Sequence, residues 1–522
     1  MKAACALVCL AALANGISAN IFKKNRQLDD GLVVQPLDYI NQYQRPLYQP
    51  QEQTYKQYIL SQKRYKQQPQ LPVTSQESSQ ESQEVIRNLR NKFVTVNSDF
   101  KTLRGQKWNR PVYTSILKVQ GDQPAFEDSI WKIPSMPVRG YNDNTYTEQK
   151  KIEKILTEAQ NVLMHPTAEE KVKFNQALAA AEQTQTEDVI LNTTELLKKY
   201  KYPVEEHMIK TDDGYLLTVF HIPAKQQQTR DVTKKPVVFM MHDLLGSSDD
   251  WLLMGPGKSL AYLLSDAGYD VWLGNARGNK YSSRHVTKHP ALNDFWQFSN
   301  DEVALHDLPA MIDYVLETTK QEKLQYIGHG QGTTAVFALA AARPTYNKKI
   351  AMIHALSPMV YMNNVRSPLI RMLAPNSEFE ERLHHQIGHG AFKPSPEVIS
   401  AVGGDMLETE IGSKNVGSNV YYTMSGVNIA NVEPALMPVI MSHLPAGAST
   451  RMMRQYGQAV VSDAFRRYDY GPVMNQQVYG TTEAPRYRME AVEAPVSLYY
   501  SDADWLAQPA DVAQTTRSQT NI

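Results

Sequence analysis

The chain has 522 residues, of which 42% are hydrophobic and 21% charged, with a formal net charge of zero and an isoelectric point near 7.2. Such a composition folds as ordinary globular protein, and the balanced charge offers neither a basic surface for nucleic acid nor an acidic solvating tail. Both cysteines, Cys5 and Cys9, lie near the start, so thiol catalysis and cysteine-ligated metal are excluded from everything after them.

Residues 1–19 read as a secretory signal. Lys2 gives a positive start, Ala3 to Ala14 an apolar stretch, and Gly16, Ser18 and Ala19 small residues for cleavage. An apolar stretch of about 12 residues falls short of the roughly 20 that span a bilayer, and no later stretch is apolar enough to do so. Cleavage would leave a secreted chain without a disulfide, stabilised by its hydrophobic core instead.

Residues 20–84 are dominated by Gln, Tyr, Pro, Lys and Ser with little periodic apolar content. Such a segment cannot bury enough apolar area to offset its ordering entropy, and disorder is expected. Lys23-Lys24 and Lys63-Arg64 are basic pairs open to proteases. Ser75, Ser79 and Ser82 each stand two residues before a glutamate. They are phosphorylation candidates, where each phosphate would add negative charge and gather cations; the alternative is an unmodified polar patch.

A partly helical extension is expected over 85–190. Ile152, Ile155, Ala159, Val162 and Leu163 recur at helical spacing, Pro166 interrupts them, and Thr167 to Glu170 reads as the start of a second helix running to about Gln183. Asn192-Thr193-Thr194 is an N-glycosylation sequon.

From 191 the texture changes. Tyr202 to Lys210 and Tyr215 to His221 flank Asp212-Asp213-Gly214, which predicts a β-hairpin. Strands are predicted at Pro236–Met241, Tyr269–Leu273, Leu324–Ile327, Ile350–Leu356 and Val496–Tyr500. Helices are predicted at Ser259–Ala267, Asp307–Thr318 and Ala335–Ala342. Alternating strands and helices argue an α/β fold, a mostly parallel sheet with helices on both faces. Its first part is expected over 191–364, a helical cap insertion over 365–480, and the last strand over 481–522.

The chemistry centres on Tyr326-Ile327-Gly328-His329-Gly330-Gln331-Gly332-Thr333. Strand, glycine turn and helix form the nucleophile elbow G-x-S-x-G, with Gly330 at the serine position. Together with Trp272-Leu-Gly-Asn-Ala-Arg-Gly-Asn279, Tyr281-Ser282, Phe295-Trp296 and Asp307-Leu-Pro-Ala310, this ordered series resembles the acid lipase family over roughly 190–510. That family includes lysosomal, gastric and many insect lipases.

The resemblance implies an α/β-hydrolase fold with a helical cap, and it locates the catalytic positions. The nucleophile falls on Gly330. The acid falls on Asp504, after the last strand, and is retained. The histidine should follow the acid, yet no histidine follows Asp504; the last is His443. The oxyanion turn, His-Gly-Leu-Leu in the family, reads His242-Asp243-Leu244-Leu245, which puts a carboxylate where negative charge should develop. No catalytic residue is therefore assigned. Loss of a serine or histidine from such a triad costs about 10⁶ in turnover, and Thr333, one turn into the helix, is no substitute nucleophile.

The other histidines read as structural: His242 at a strand end, His329 packed beside the turn, and His285 and His289 in a surface loop. The glycine turn lacks the residues of a phosphate cradle. Neither a cofactor nor a metal site is suggested by any spacing. An inactive secreted lipase fold with a Gln-, Tyr- and Ser-rich extension resembles the lipase-like egg-specific yolk proteins (yolk polypeptide 2 type) of moths and butterflies. That resemblance implies a nutrient reservoir of the egg, with an oocyte uptake receptor and embryonic proteases as partners and self- or hetero-assembly open. The alternatives are a carrier of lipid or fatty acyl cargo and a weak esterase with a substitute nucleophile.

Overall fold

A computed structural model describes residues 150, 153–158, 166–183, 186–224, 235–375, 390–429, 432–501 and 504–519. The 20–84 segment, with Ser75, Ser79 and Ser82, lies outside these residues, as does most of the 85–190 extension. Within the extension, 153–158 is helical, and helix α1 runs Ala168–Gln183 from the Thr167 start that the sequence predicts.

Seven strands form one sheet: β1 Glu205–Lys210, β2 Leu216–Ile222, β3 Val237–Met241, β4 Asp270–Gly274, β5 Leu324–His329, β6 Ile350–Leu356 and β7 Val496–Tyr499, in the order β1-β2-β4-β3-β5-β6-β7. The hairpin is antiparallel, with Glu205 opposite His221 and His207 opposite Val219. β2 also runs antiparallel to β4, and the pairs from β4 through β7 are parallel.

The apolar run of β3 shows why this sheet is buried on both sides. Val237, Phe239 and Met241 enter one core, and Val238 and Met240 enter the other, as a two-residue period requires. Helices α4 Leu308–Thr319 and α5 Gln331–Ala342 cover the first face; α2 Thr193–Lys199 and α3 Leu260–Asp266 cover the second. The α5 helix starts four residues before the predicted Ala335, because the glycine turn closes directly into it.

Between β6 and β7 the described residues contain helices and no strand, among them α6 Met437–His443 and α7 Thr450–Val461. A buried ionic cluster joins this insertion to the sheet. His443 Nδ1 lies 2.6 Å from Asp249 Oδ2, and Nε2 lies 2.8 Å from the Asp188 carbonyl oxygen. Lys280 reaches Asp249 at 2.5 Å, and Tyr281 donates to it at 2.7 Å. Burial raises the Asp249 pKa, but the His443 hydrogen bond and the Lys280 charge outweigh it and bring it down to about 2.

A second ionic cluster lies beneath the hairpin turn. The buried Arg277 guanidinium binds Asp213 at 2.6 and 2.9 Å and Asp307 at 2.7 Å, and lies 4.0 Å over the Tyr215 ring. Arg277 is thus a structural cation tying β1–β2, the loop after β4 and the start of α4 together.

Candidate functional site

The site stands at the C-terminal ends of the parallel strands, where open α/β sheets place their chemistry. β5 enters the turn and α5 leaves it. Gly330 has φ +48° and ψ −105°, a region that few residues other than glycine enter. The flanking glycines let helix and strand touch. A Cβ at Gly328 would come within 2.8 Å of the Gly332 backbone, and one at Gly332 would strike the Met241 carbonyl.

At Gly330 the backbone is braced and no side chain is present. Gly330 N–H donates to the Leu356 carbonyl at 2.9 Å, and the Gly330 carbonyl accepts from Thr333 Oγ1 at 2.5 Å. Thr333 Oγ1 also accepts the Met359 N–H at 3.1 Å. Its hydroxyl is committed to two backbone groups, as its place in the helix leads one to expect.

Asp243 occupies the space above Gly330. Its side chain is fully buried, and Oδ1 accepts the Gln331 N–H at 2.9 Å. In an α/β-hydrolase, the N–H of the residue after the nucleophile is one donor of the oxyanion hole. Here the N–H of the residue after Gly330 is held by the Asp243 carboxylate. A Cβ built at Gly330 would collide with the same carboxylate, so the two substitutions fit one another: Asp243 fills room that only a glycine at 330 leaves. Leu244 and Leu245 complete the turn, both buried, with Leu245 at φ +63°.

His242 is held neutral beside them. Its Nδ1 donates to the Asp243 carbonyl at 2.7 Å, and its Nε2 accepts the Ala276 N–H at 3.0 Å. Burial pushes its pKa down to about 4. His329 is buried with its ring 6.3 Å from Trp251. His285 Nε2 lies 2.9 Å from the Asp213 carbonyl, and His289 is exposed.

Asp504 is buried after β7. Its Oδ1 accepts the N–H groups of Leu506 and Ala507 at 2.8 and 3.1 Å, and its Oδ2 has no hydrogen bond among the described residues. Tyr421, from the insertion, completes the surroundings. Burial first, and then the carboxylates of Asp243, Asp250 and Asp504, push its phenol well above the ordinary value.

Asn192 is exposed. It caps α2 through Oδ1, which accepts the Glu195 N–H at 3.0 Å, so its amide nitrogen is not used in the cap.

Sheet order, crossover pattern and elbow together define an α/β-hydrolase. Residues 193–255 match the partial alpha/beta-hydrolase lipase region and residues 236–381 the alpha/beta hydrolase fold. Lipase 3 of Drosophila melanogaster is 40% identical over 321 residues, covering 62% of this chain and 81% of that protein. Human gastric triacylglycerol lipase is 35% identical over 333 residues, 62% and 81% of the two chains. Lipase lipl-1 of Caenorhabditis elegans is 36% identical over 337 residues, 63% and 82%. The chain belongs to this acid and gastric lipase family.

Sequence reasoning missed a constellation on the β1–β2 hairpin. Glu205 and His207 of β1 and His221 of β2 bring one ligand atom each within 4.8 Å of one another. The signal was present as a Glu-x-His pair on a strand whose partner carries a histidine opposite the glutamate.

Proposed function

We propose that this chain is a lipase fold without ester hydrolysis, secreted and deposited in egg yolk as a nutrient reservoir. The observation that carries the reading is the pair Gly330 and Asp243. A nucleophile is missing where the fold presents one, and a carboxylate takes the N–H that would stabilise an oxyanion. Negative charge already bonded to that donor opposes the charge of a tetrahedral intermediate, so the hole works against the reaction it serves in active enzymes. Storage requires a stable, soluble core and a segment open to proteases, not a nucleophile. An uptake receptor on the oocyte and embryonic proteases are the partners this role requires, and phosphate on Ser75, Ser79 and Ser82 and glycan on Asn192 would suit it.

The test is to follow the protein by quantitative immunoblotting through oogenesis and embryogenesis. Accumulation in ovary and egg with decline in the embryo is expected. Abundance confined to gut or adult fat tissue would defeat the reading.

Carriage of an acyl chain has one observation in its favour. A cavity of about 490 Å³ beside α5 and α7 has Met359, Val360, Met362 and Phe465 on one part of its lining and charged side chains such as Arg466 and Arg467 on another. Lipid extracted in stoichiometric amount from the purified protein would favour that role.

A further inference from the structure

Far from the elbow, at the hairpin end of the sheet, side chains converge without a role in the reading above. Glu205 and His207 are two apart on β1, so they share a face. His221 is the direct cross-strand partner of Glu205. Glu205 Oε2 lies 2.9 Å from His221 Nδ1 and 3.4 Å from His207 Nε2. Ligand atoms bound tetrahedrally at the usual zinc distances stand roughly 3.3 Å apart.

The far side of each imidazole is already fixed. His221 Nε2 lies 2.8 Å from Asp270 Oδ1, and His207 Nδ1 lies 2.9 Å from the Tyr314 hydroxyl. Asp270 is itself anchored by the Trp272 Nε1–H at 2.8 Å and the Ala224 N–H at 3.2 Å. Asp270 thereby fixes the orientation of the His221 ring and leaves its Nδ1 facing Glu205. Metal-binding histidines are oriented by this kind of outer partner. The rings are also held in place: His221 stacks on the Trp272 indole at 3.9 Å and 12°, and the His207 ring lies 4.9 Å from it. His207 Nε2 is buried and makes no hydrogen bond among the described residues.

We propose that Glu205 Oε2, His207 Nε2 and His221 Nδ1 bind one divalent transition-metal ion of the zinc type. The Glu205 side chain is 56% exposed, so the fourth position opens to water. An ion bound there would take the place of the direct 2.9 Å Glu205–His221 contact. Two imidazoles and one carboxylate favour zinc, copper or nickel over calcium or magnesium. The site stands whether or not the chain is a storage protein.

The test uses the full chain, produced without a histidine tag and stripped with chelator, titrated calorimetrically with zinc chloride. One equivalent should bind at micromolar or tighter Kd, and H207Q and E205Q should each weaken it at least tenfold. E206Q, on the opposite face of β1, should leave it unchanged. Because loss of fold would mimic loss of binding, each variant is compared by circular dichroism and thermal midpoint. A second readout is quenching of tryptophan fluorescence by Cu²⁺, expected in the wild type through Trp272 and diminished in H207Q. Absence of saturable zinc binding below about 100 μM overturns the site, as does a tight equivalent that survives both H207Q and E205Q.

Discussion

At the scale of single residues, Gly330 and Asp243 are two halves of one arrangement. The Asp243 carboxylate bonds the Gln331 N–H at 2.9 Å and fills the volume that a side chain at 330 would need. Restoring the serine alone is therefore expected to be destabilising. G330S should cost about 1–3 kcal/mol through overpacking and positive φ. D243G alone should also cost about 1–3 kcal/mol, because it leaves a buried donor without its acceptor. The double variant should cost less than the sum, with a coupling of about 0.5–3 kcal/mol, as expected of residues in contact. Urea denaturation of the four proteins measures this, and strict additivity would contradict the contact. Gly330 in the glycine turn and Asp243 after β3 were each singled out from the sequence. Their bond was not, since it joins residues 88 apart.

Among the elements, the two ionic clusters hold the insertion and the hairpin to the sheet. Replacing Arg277 with methionine keeps much of the volume but leaves Asp307, which is fully buried, beside an apolar side chain. The expected cost is about 3–5 kcal/mol, the range for removing one partner of a buried pair, read as a lowered denaturation midpoint. A loss near zero would mean that Asp307 is satisfied by other groups. Strands and long helices were readable because their apolar runs and periods are clear: β3 through β6 and α4 fall within a residue or two of prediction. The helices of the insertion were not, because many have only four to eight residues, too few for a 3.6-residue period to emerge. The hairpin was legible through its Asp-Gly turn, and its register explains how Glu205 and His221 come to face each other.

For the whole molecule, buried titratable groups set the response to acid. His242 is held neutral, with its pKa lowered from 6.5 to about 4. Its contribution is complete above the unfolded value and is lost as pH falls from 6.5 toward 4, where the unfolded chain gains a proton that the folded one resists. The loss is on the order of 3 kcal/mol. Asp249, with a folded pKa of about 2 against an ordinary 3.8, contributes above its unfolded value and loses that contribution as pH drops through the range from 4 to 2. In denaturation experiments, the stability difference between wild type and D249N should be constant above pH 5 and shrink below pH 4. A difference independent of pH would show that Asp249 is not the anion that holds His443 and Lys280.

The central claim is that this lipase fold performs no ester hydrolysis at Gly330. The direct measurement is turnover of tributyrin and p-nitrophenyl butyrate by the purified full chain, with and without a fluorophosphonate that labels activated serines. Rates equal to buffer and no covalent label are the expected result. Turnover above buffer that the fluorophosphonate abolishes would contradict the account, because it would place an activated serine in a site where the structure has a glycine and a carboxylate.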